Sequence, residues 1–133
     1  MYDQFMDKIR IGIIGAGGIA ENCHAPAIQA VESATLRAVL SREEPKGMDF
    51  LTRHGAANGK VYTTLEDFAA DPDIDMVIVC SPDKLHAQQA KACLIASKHV
   101  LLEKPMATTV EEAHELVELA KSKDVTLATG FHL

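Results

Sequence analysis

The feature that most constrains this chain is an alternation. Six short runs rich in Ile, Val and Leu, at residues 9–14, 35–41, 60–62, 75–80, 98–102 and 125–129, are separated by stretches of helical periodicity. The first run is broken only by Arg10 and Gly12, and the fourth centres on Met76-Val77-Ile78-Val79. Strands that are apolar throughout, rather than at every second residue, are buried on both faces. This marks a parallel sheet covered by helices on each side. Right-handed helical crossovers then wind the strands outward in two directions from the first. The expected fold class is α/β, a Rossmann doubly wound parallel sheet of about six strands in the order 3-2-1-4-5-6. A single domain, 1–133, accounts for the sequence, and that length buries a core without disulfides.

The helices are expected at about 18–31, 45–55 and 65–70, from Pro82 to about 97, and from Thr109 onward. Ser81 reads as an N-cap, with Pro82 at the first helical position. Thr108 and Thr109 each precede a glutamate by three residues (Glu111, Glu112), which suits a capping box. Val110, Ala113, Leu116, Val117 and Ala120 recur at helical spacing and imply one buried face.

The formal net charge is −6 and no basic patch accompanies it, so nucleic acid is not an expected partner. The longest clean apolar run, Met76 to Cys80, is too short for a bilayer. Residues Met1 to Lys8 are mostly polar, so neither a signal peptide nor an anchor is expected and the setting is cytoplasmic. Cys23, Cys80 and Cys93 match no zinc or redox spacing, so they read as reduced, mostly buried thiols, and no metal site is expected.

The segment Gly15-Ala16-Gly17-Gly18-Ile19-Ala20 carries G-x-G-x-x-A between an expected strand and an expected helix. Gly15 permits the tight turn. Gly17 lets backbone approach a pyrophosphate, and Ala20 is small enough for the helix to sit on the strand. An anion there faces the free N–H groups and positive dipole end of the helix. Flavin and S-adenosylmethionine domains share such turns, so the loop alone leaves the ligand open.

The end of the second strand narrows the choice. A carboxylate there would bind the ribose hydroxyls of NAD. Here Ser41-Arg42 follows Val39-Leu40, and a hydroxyl with a guanidinium suits a 2′-phosphate. NADP is therefore preferred over NAD, although Glu43 or Glu44 would supply a carboxylate if the strand ended later. The fifth run ends in Leu102-Glu103-Lys104-Pro105, and ligands of doubly wound sheets bind at the carboxyl ends of strands. Lys104 stands where a lysine could exchange a proton with a substrate hydroxyl. A solvated charged loop is the alternative reading of the same residues.

The glycine loop, His24, Ile74-Asp75 leading into Val77-Ile78-Val79-Cys80-Ser81-Pro82, His86, and His99-Val100-Leu101-Leu102-Glu103-Lys104-Pro105 follow one another in an order and spacing that resemble the glucose–fructose oxidoreductase/inositol dehydrogenase (Gfo/Idh/MocA) family. The resemblance covers about residues 8–133, the family's amino-terminal half. It implies that the loop carrying Gly15, Gly17, Gly18 and Ile19 binds the pyrophosphate. It implies that Ser41 and Arg42 select the cofactor, that Ser81, Pro82 and His86 line the dinucleotide cleft, and that Glu103 stands with them. By the same resemblance Lys104 is the catalytic candidate. His86 also shares a helix face with Ala90, Cys93 and Leu94, so packing there is the alternative reading of it, and His24 and His99 read as structural. Ser97 stands where the family commonly has glycine at a helix end.

The resemblance also implies a second α/β domain that supplies most substrate contacts and the oligomer interface, and this sequence does not contain it. The expected function is hydride transfer between NADP or NAD and a sugar, polyol or related carbonyl, with a small-molecule substrate and a homo-oligomeric parent. The isolated chain is expected to hold cofactor without turnover. The alternative is a stand-alone dinucleotide-binding or redox-sensing module. A methyltransferase domain is disfavoured by the Glu103-Lys104-Pro105 segment.

Overall fold

The computed structural model describes residues 7–130, so the first six residues of the polar amino-terminal stretch lie outside the described residues. Six strands, β1 (Ile9–Ile14), β2 (Ala34–Leu40), β3 (Lys60–Tyr62), β4 (Met76–Val79), β5 (His99–Glu103) and β6 (Leu127–Gly130), form one sheet. Their order is β3-β2-β1-β4-β5-β6 and every pairing is parallel, as the alternation requires. The order reverses direction between β1 and β4, which leaves a crevice at their carboxyl ends.

The helices α1 (Ala25–Ala30), α2 (Glu44–Arg53), α3 (Leu65–Ala70), α4 (His86–Ile95) and α5 (Val110–Lys123) cover both faces. One apolar layer joins Ile11 and Ile13 of β1 to Ile28 of α1 and to Phe50 and Leu51 of α2. The other joins Ile14, Val77 and Val79 to Phe68 of α3, Leu94 of α4 and Leu116 of α5. Neighbouring residues of one strand serve opposite layers, so both strand faces had to be apolar. Each fully buried Phe or Leu contributes roughly 1.5–3 kcal/mol. Gly12 makes room for this packing, since a Cβ there would lie 2.6 Å from the Phe68 ring.

Three local expectations are corrected. The stretch 18–31 is not one regular helix. A π-helical turn, Ala20–His24, precedes α1, and Ala25 N–H donates to Ala20 O. Pro26 lacks an N–H and its ring would strike the carbonyl four residues back, so the wider turn carries the chain past it. Ser81 does not cap a helix begun by Pro82. Pro82 is extended, with ψ 146°, a 3-10 turn follows at Asp83–Leu85, and α4 begins only at His86. The Ser81 hydroxyl instead donates to Gln89 Oε1. Val110 does not join the buried face of α5, because as the first helical residue it is 69% exposed.

The α5 cap is Thr109, whose Oγ1 accepts from Glu112 N–H at 3.2 Å, while Glu112 accepts from the Thr108 hydroxyl. Of the cysteines, Cys93 is buried, Cys80 half-buried and Cys23 exposed. No helix among the described residues is long and apolar enough to cross a membrane.

Candidate functional site

The carboxyl ends of β1, β2 and β4 are joined at the glycine loop. Gly15 N–H donates to Leu40 O at 3.2 Å, Cys80 N–H to Ile14 O at 2.9 Å, and the Cys80 thiol to Gly15 O at 3.4 Å. Gly15 turns at φ +96°, a conformation that side-chain-bearing residues rarely adopt. A Cβ on it would lie 3.0 Å from the Cys80 carbonyl oxygen and the Ser81 nitrogen. Gly17, in contrast, is exposed, and a Cβ there would meet nothing within 4 Å. Ala20 is fully buried, as the close fit of helix to strand demands.

This loop forms one wall of a cleft of about 580 Å³. Ser41, Arg42, Glu43 and Lys46 form a second wall, and Ser81, Pro82, Leu85 and Gln89 a third. Six of the expected residues, Gly15, Gly17, Ser41, Arg42, Ser81 and Pro82, are thus brought together from three strand ends. Gly18 and Ile19 follow on the exposed first helical turn, outside that wall. A larger groove of about 1120 Å³ lies at the opposite end of the sheet, against the start of β1 and β2. It contains neither the loop nor any of the expected residues.

The second wall holds a residue that reading the sequence missed. Lys46 stands in the first turn of α2 and lines the cleft with Arg42. Neither cation belongs to an ion pair among the described residues. A lysine in a first helical turn opposes the helix dipole, at a cost of roughly 0.3–1 kcal/mol. That misplacement was the available signal. β2 ends at Leu40, so Glu43 caps α2 and Glu44 opens it, with Glu43 facing the same cleft. The Ser41 hydroxyl is engaged locally, donating to Glu43 O at 3.0 Å. The open backbone at Gly17 and the two cations are groups that can donate to an anion in this cleft.

At the end of β5 the side chains take different directions. Glu103 is bound by His24 Nε2 at 2.8 Å, which links β5 to the segment following the glycine loop. Lys104 is exposed. His86 is 1% exposed and does not line the cleft. Its Nδ1 lies 2.7 Å from Pro105 O and its Nε2 2.7 Å from Ser81 O. Burial, with the Glu103 charge adding, pushes the Cys80 thiol up to about 12, so it is no nucleophile despite its place. His99 Nδ1 accepts from Thr126 N–H at 3.0 Å, far from the cleft. Among the described residues no group of three His, Cys, Asp or Glu is placed to hold a metal ion.

The model of the oxidoreductase family with an NAD-binding Rossmann fold, GFO_IDH_MocA, matches residues 9–131. A 1,5-anhydro-D-fructose reductase of Ensifer adhaerens is 39% identical over 124 residues, which is 93% of this chain and 36% of that protein. The solved structure of KijD10, a 3-ketoreductase of Actinomadura kijaniata in complex with NADP and TDP-benzene, superposes with a TM-score of 0.87 at 31% identity, over 93% of this chain and 37% of that one. GenD2 from gentamicin A biosynthesis, in complex with NAD, superposes with a TM-score of 0.85 at 31% identity, over 93% of this chain and 34% of that one. The chain spans about a third of the length of the relatives it matches.

Proposed function

The chain belongs to the Gfo/Idh/MocA oxidoreductase family, and from that premise we propose that it is the cofactor-holding domain of an enzyme moving hydride between NADP and a sugar, polyol or related carbonyl. The nicotinamide supplies the hydride when the cofactor is bound. Gly15, Gly17 and the helix that follows hold the pyrophosphate, and Ser81 and Pro82 wall the middle of the cleft. Lys104, at the end of β5, exchanges the proton of the substrate hydroxyl. Orientation of the substrate falls to residues outside this domain, so the isolated chain binds cofactor without turning over.

The observation that carries the NADP reading is the pair Arg42 and Lys46 on one wall, each free of an ion-pair partner among the described residues. A 2′-phosphate offers both a charge-assisted hydrogen bond, whereas a 2′-hydroxyl offers neither an anion. That one relative holds NAD and another NADP leaves the preference to these side chains. Titration of NADPH and NADH into the chain, followed by nicotinamide fluorescence, tests it. NADPH binds more tightly, and Arg42→Ala and Lys46→Ala each weaken NADPH by about tenfold, the scale of one hydrogen bond to a charged group, while leaving NADH unchanged. Tighter binding of NADH by the unaltered chain overturns the assignment.

A further inference from the structure

We propose that His86 is a positioning residue: its ring ties the turn carrying Lys104 to the turn carrying Ser81, and so sets where Lys104 stands relative to the cleft. The inference rests on the reading of Lys104 given above. The last ladder pair between β4 and β5 is Val79 with Leu102. Beyond it β4 runs out into Cys80-Ser81-Pro82, while β5 continues for one more residue, Glu103 pairing with Gly130 of β6, before Lys104-Pro105. Two carbonyls, Ser81 O and Pro105 O, stand in these turns, and no turn or loop N–H among the described residues reaches either. His86 lies between them with one ring nitrogen 2.7 Å from each; both oxygens only accept, so the ring donates to the two at once only with a proton on each nitrogen, and a neutral ring donates to one.

A core-filling role alone would ask only for an apolar side chain of this size. The ring is instead spent on main-chain groups of two functional turns, nineteen and five residues away in sequence. The next turn of α4 adds a second hold, because Gln89 accepts from the Ser81 hydroxyl. Helix α4 thus grips Ser81 by both its carbonyl and its side chain, and carries the Lys104 turn through His86. The adenosine half of the cleft, at Arg42 and Lys46, lies on the far side of β1 from this tie. Loosening the tie therefore disturbs the nicotinamide half selectively.

The experiment compares the unaltered chain with His86→Phe, which fills the volume and donates nothing, and His86→Gln, which donates from one nitrogen. Two probes are titrated into each: NADPH, and adenosine 2′,5′-bisphosphate, which lacks the nicotinamide. In His86→Phe the bisphosphate affinity stays within about twofold while NADPH weakens about tenfold, the scale of one lost buried hydrogen bond. The emission of bound NADPH returns toward its value in water, and His86→Gln falls between the two. Equal weakening of both probes, or NADPH affinity and emission unchanged, overturns the inference. Should His86→Phe not fold by circular dichroism, the ratio of the two affinities in His86→Gln decides alone. An unaltered chain that binds neither probe refutes the proposed function, and the inference falls with it. Binding of both probes with unresponsive variants refutes the inference only.

Discussion

Two glycines of one loop answer to different demands, and a single added methyl separates them. At Gly15 the backbone sits at φ +96°, so an alanine carries ~1–3 kcal/mol of conformational strain. Its Cβ would also lie 3.0 Å from the Cys80 carbonyl oxygen and the Ser81 nitrogen, main-chain atoms that yield only if the end of β4 moves. Overpacking of that kind costs a further ~1–3 kcal/mol. The total, ~2–6 kcal/mol, is a large share of the ~5–15 kcal/mol that holds a domain together. Gly15→Ala should lower the melting temperature by roughly 10 °C or more and weaken cofactor with it. At Gly17 a Cβ meets nothing within 4 Å, so Gly17→Ala should leave stability unchanged or raise it by ~0.4–1 kcal/mol through the unfolded state. The same methyl obstructs the approach of a pyrophosphate to the backbone, and NADPH binding should fall by roughly tenfold to a hundredfold. Thermal melts by circular dichroism and NADPH fluorescence titrations on both variants measure the two quantities separately. A Gly15→Ala protein melting within about 2 °C of the parent would refute the strain argument. Unchanged NADPH affinity in Gly17→Ala would refute the placement of the pyrophosphate.

Two further outcomes concern the frame around the site. The Arg10 guanidinium donates to both Asp75 oxygens at 3.0 Å and, against the opposing effect of burial, holds that carboxyl below the ordinary carboxylate range. The folded chain therefore keeps the carboxylate to lower pH than the unfolded chain does. The stabilisation is complete above the unfolded value of about 4 and is lost as pH falls through the folded one. Asp75→Asn should melt below the parent at pH 7, with the gap closing in acid, and a gap independent of pH contradicts this. Ser97 takes the left-handed conformation, φ 61°, at the end of α4, where a side chain costs ~1–2 kcal/mol and glycine ~0.5–1 kcal/mol in chain entropy. Ser97→Gly should raise stability by ~0.5 kcal/mol in denaturant titration, and a loss beyond about 1 kcal/mol contradicts it.

Strand identity, sheet order and the glycine loop were legible in the sequence because each is written in short-range pattern. An apolar run with no polar alternation admits only a doubly covered strand, and parallel strands with helical crossovers admit few orders. Gly15 and Ala20 were legible for the same reason, since a turn and a tight helix contact each demand a residue type at a fixed offset. The partners of side chains at the strand ends were not legible. Glu103 meets His24 across 79 residues, and His86 turns inward to two carbonyls rather than lining the cleft. Lys46 joins Arg42 only because α2 starts right after β2 and lies against the same crevice. Such contacts depend on which strand ends stand side by side and how far each chain runs beyond its last ladder pair. Both are properties of the assembled sheet, and no local propensity carries them.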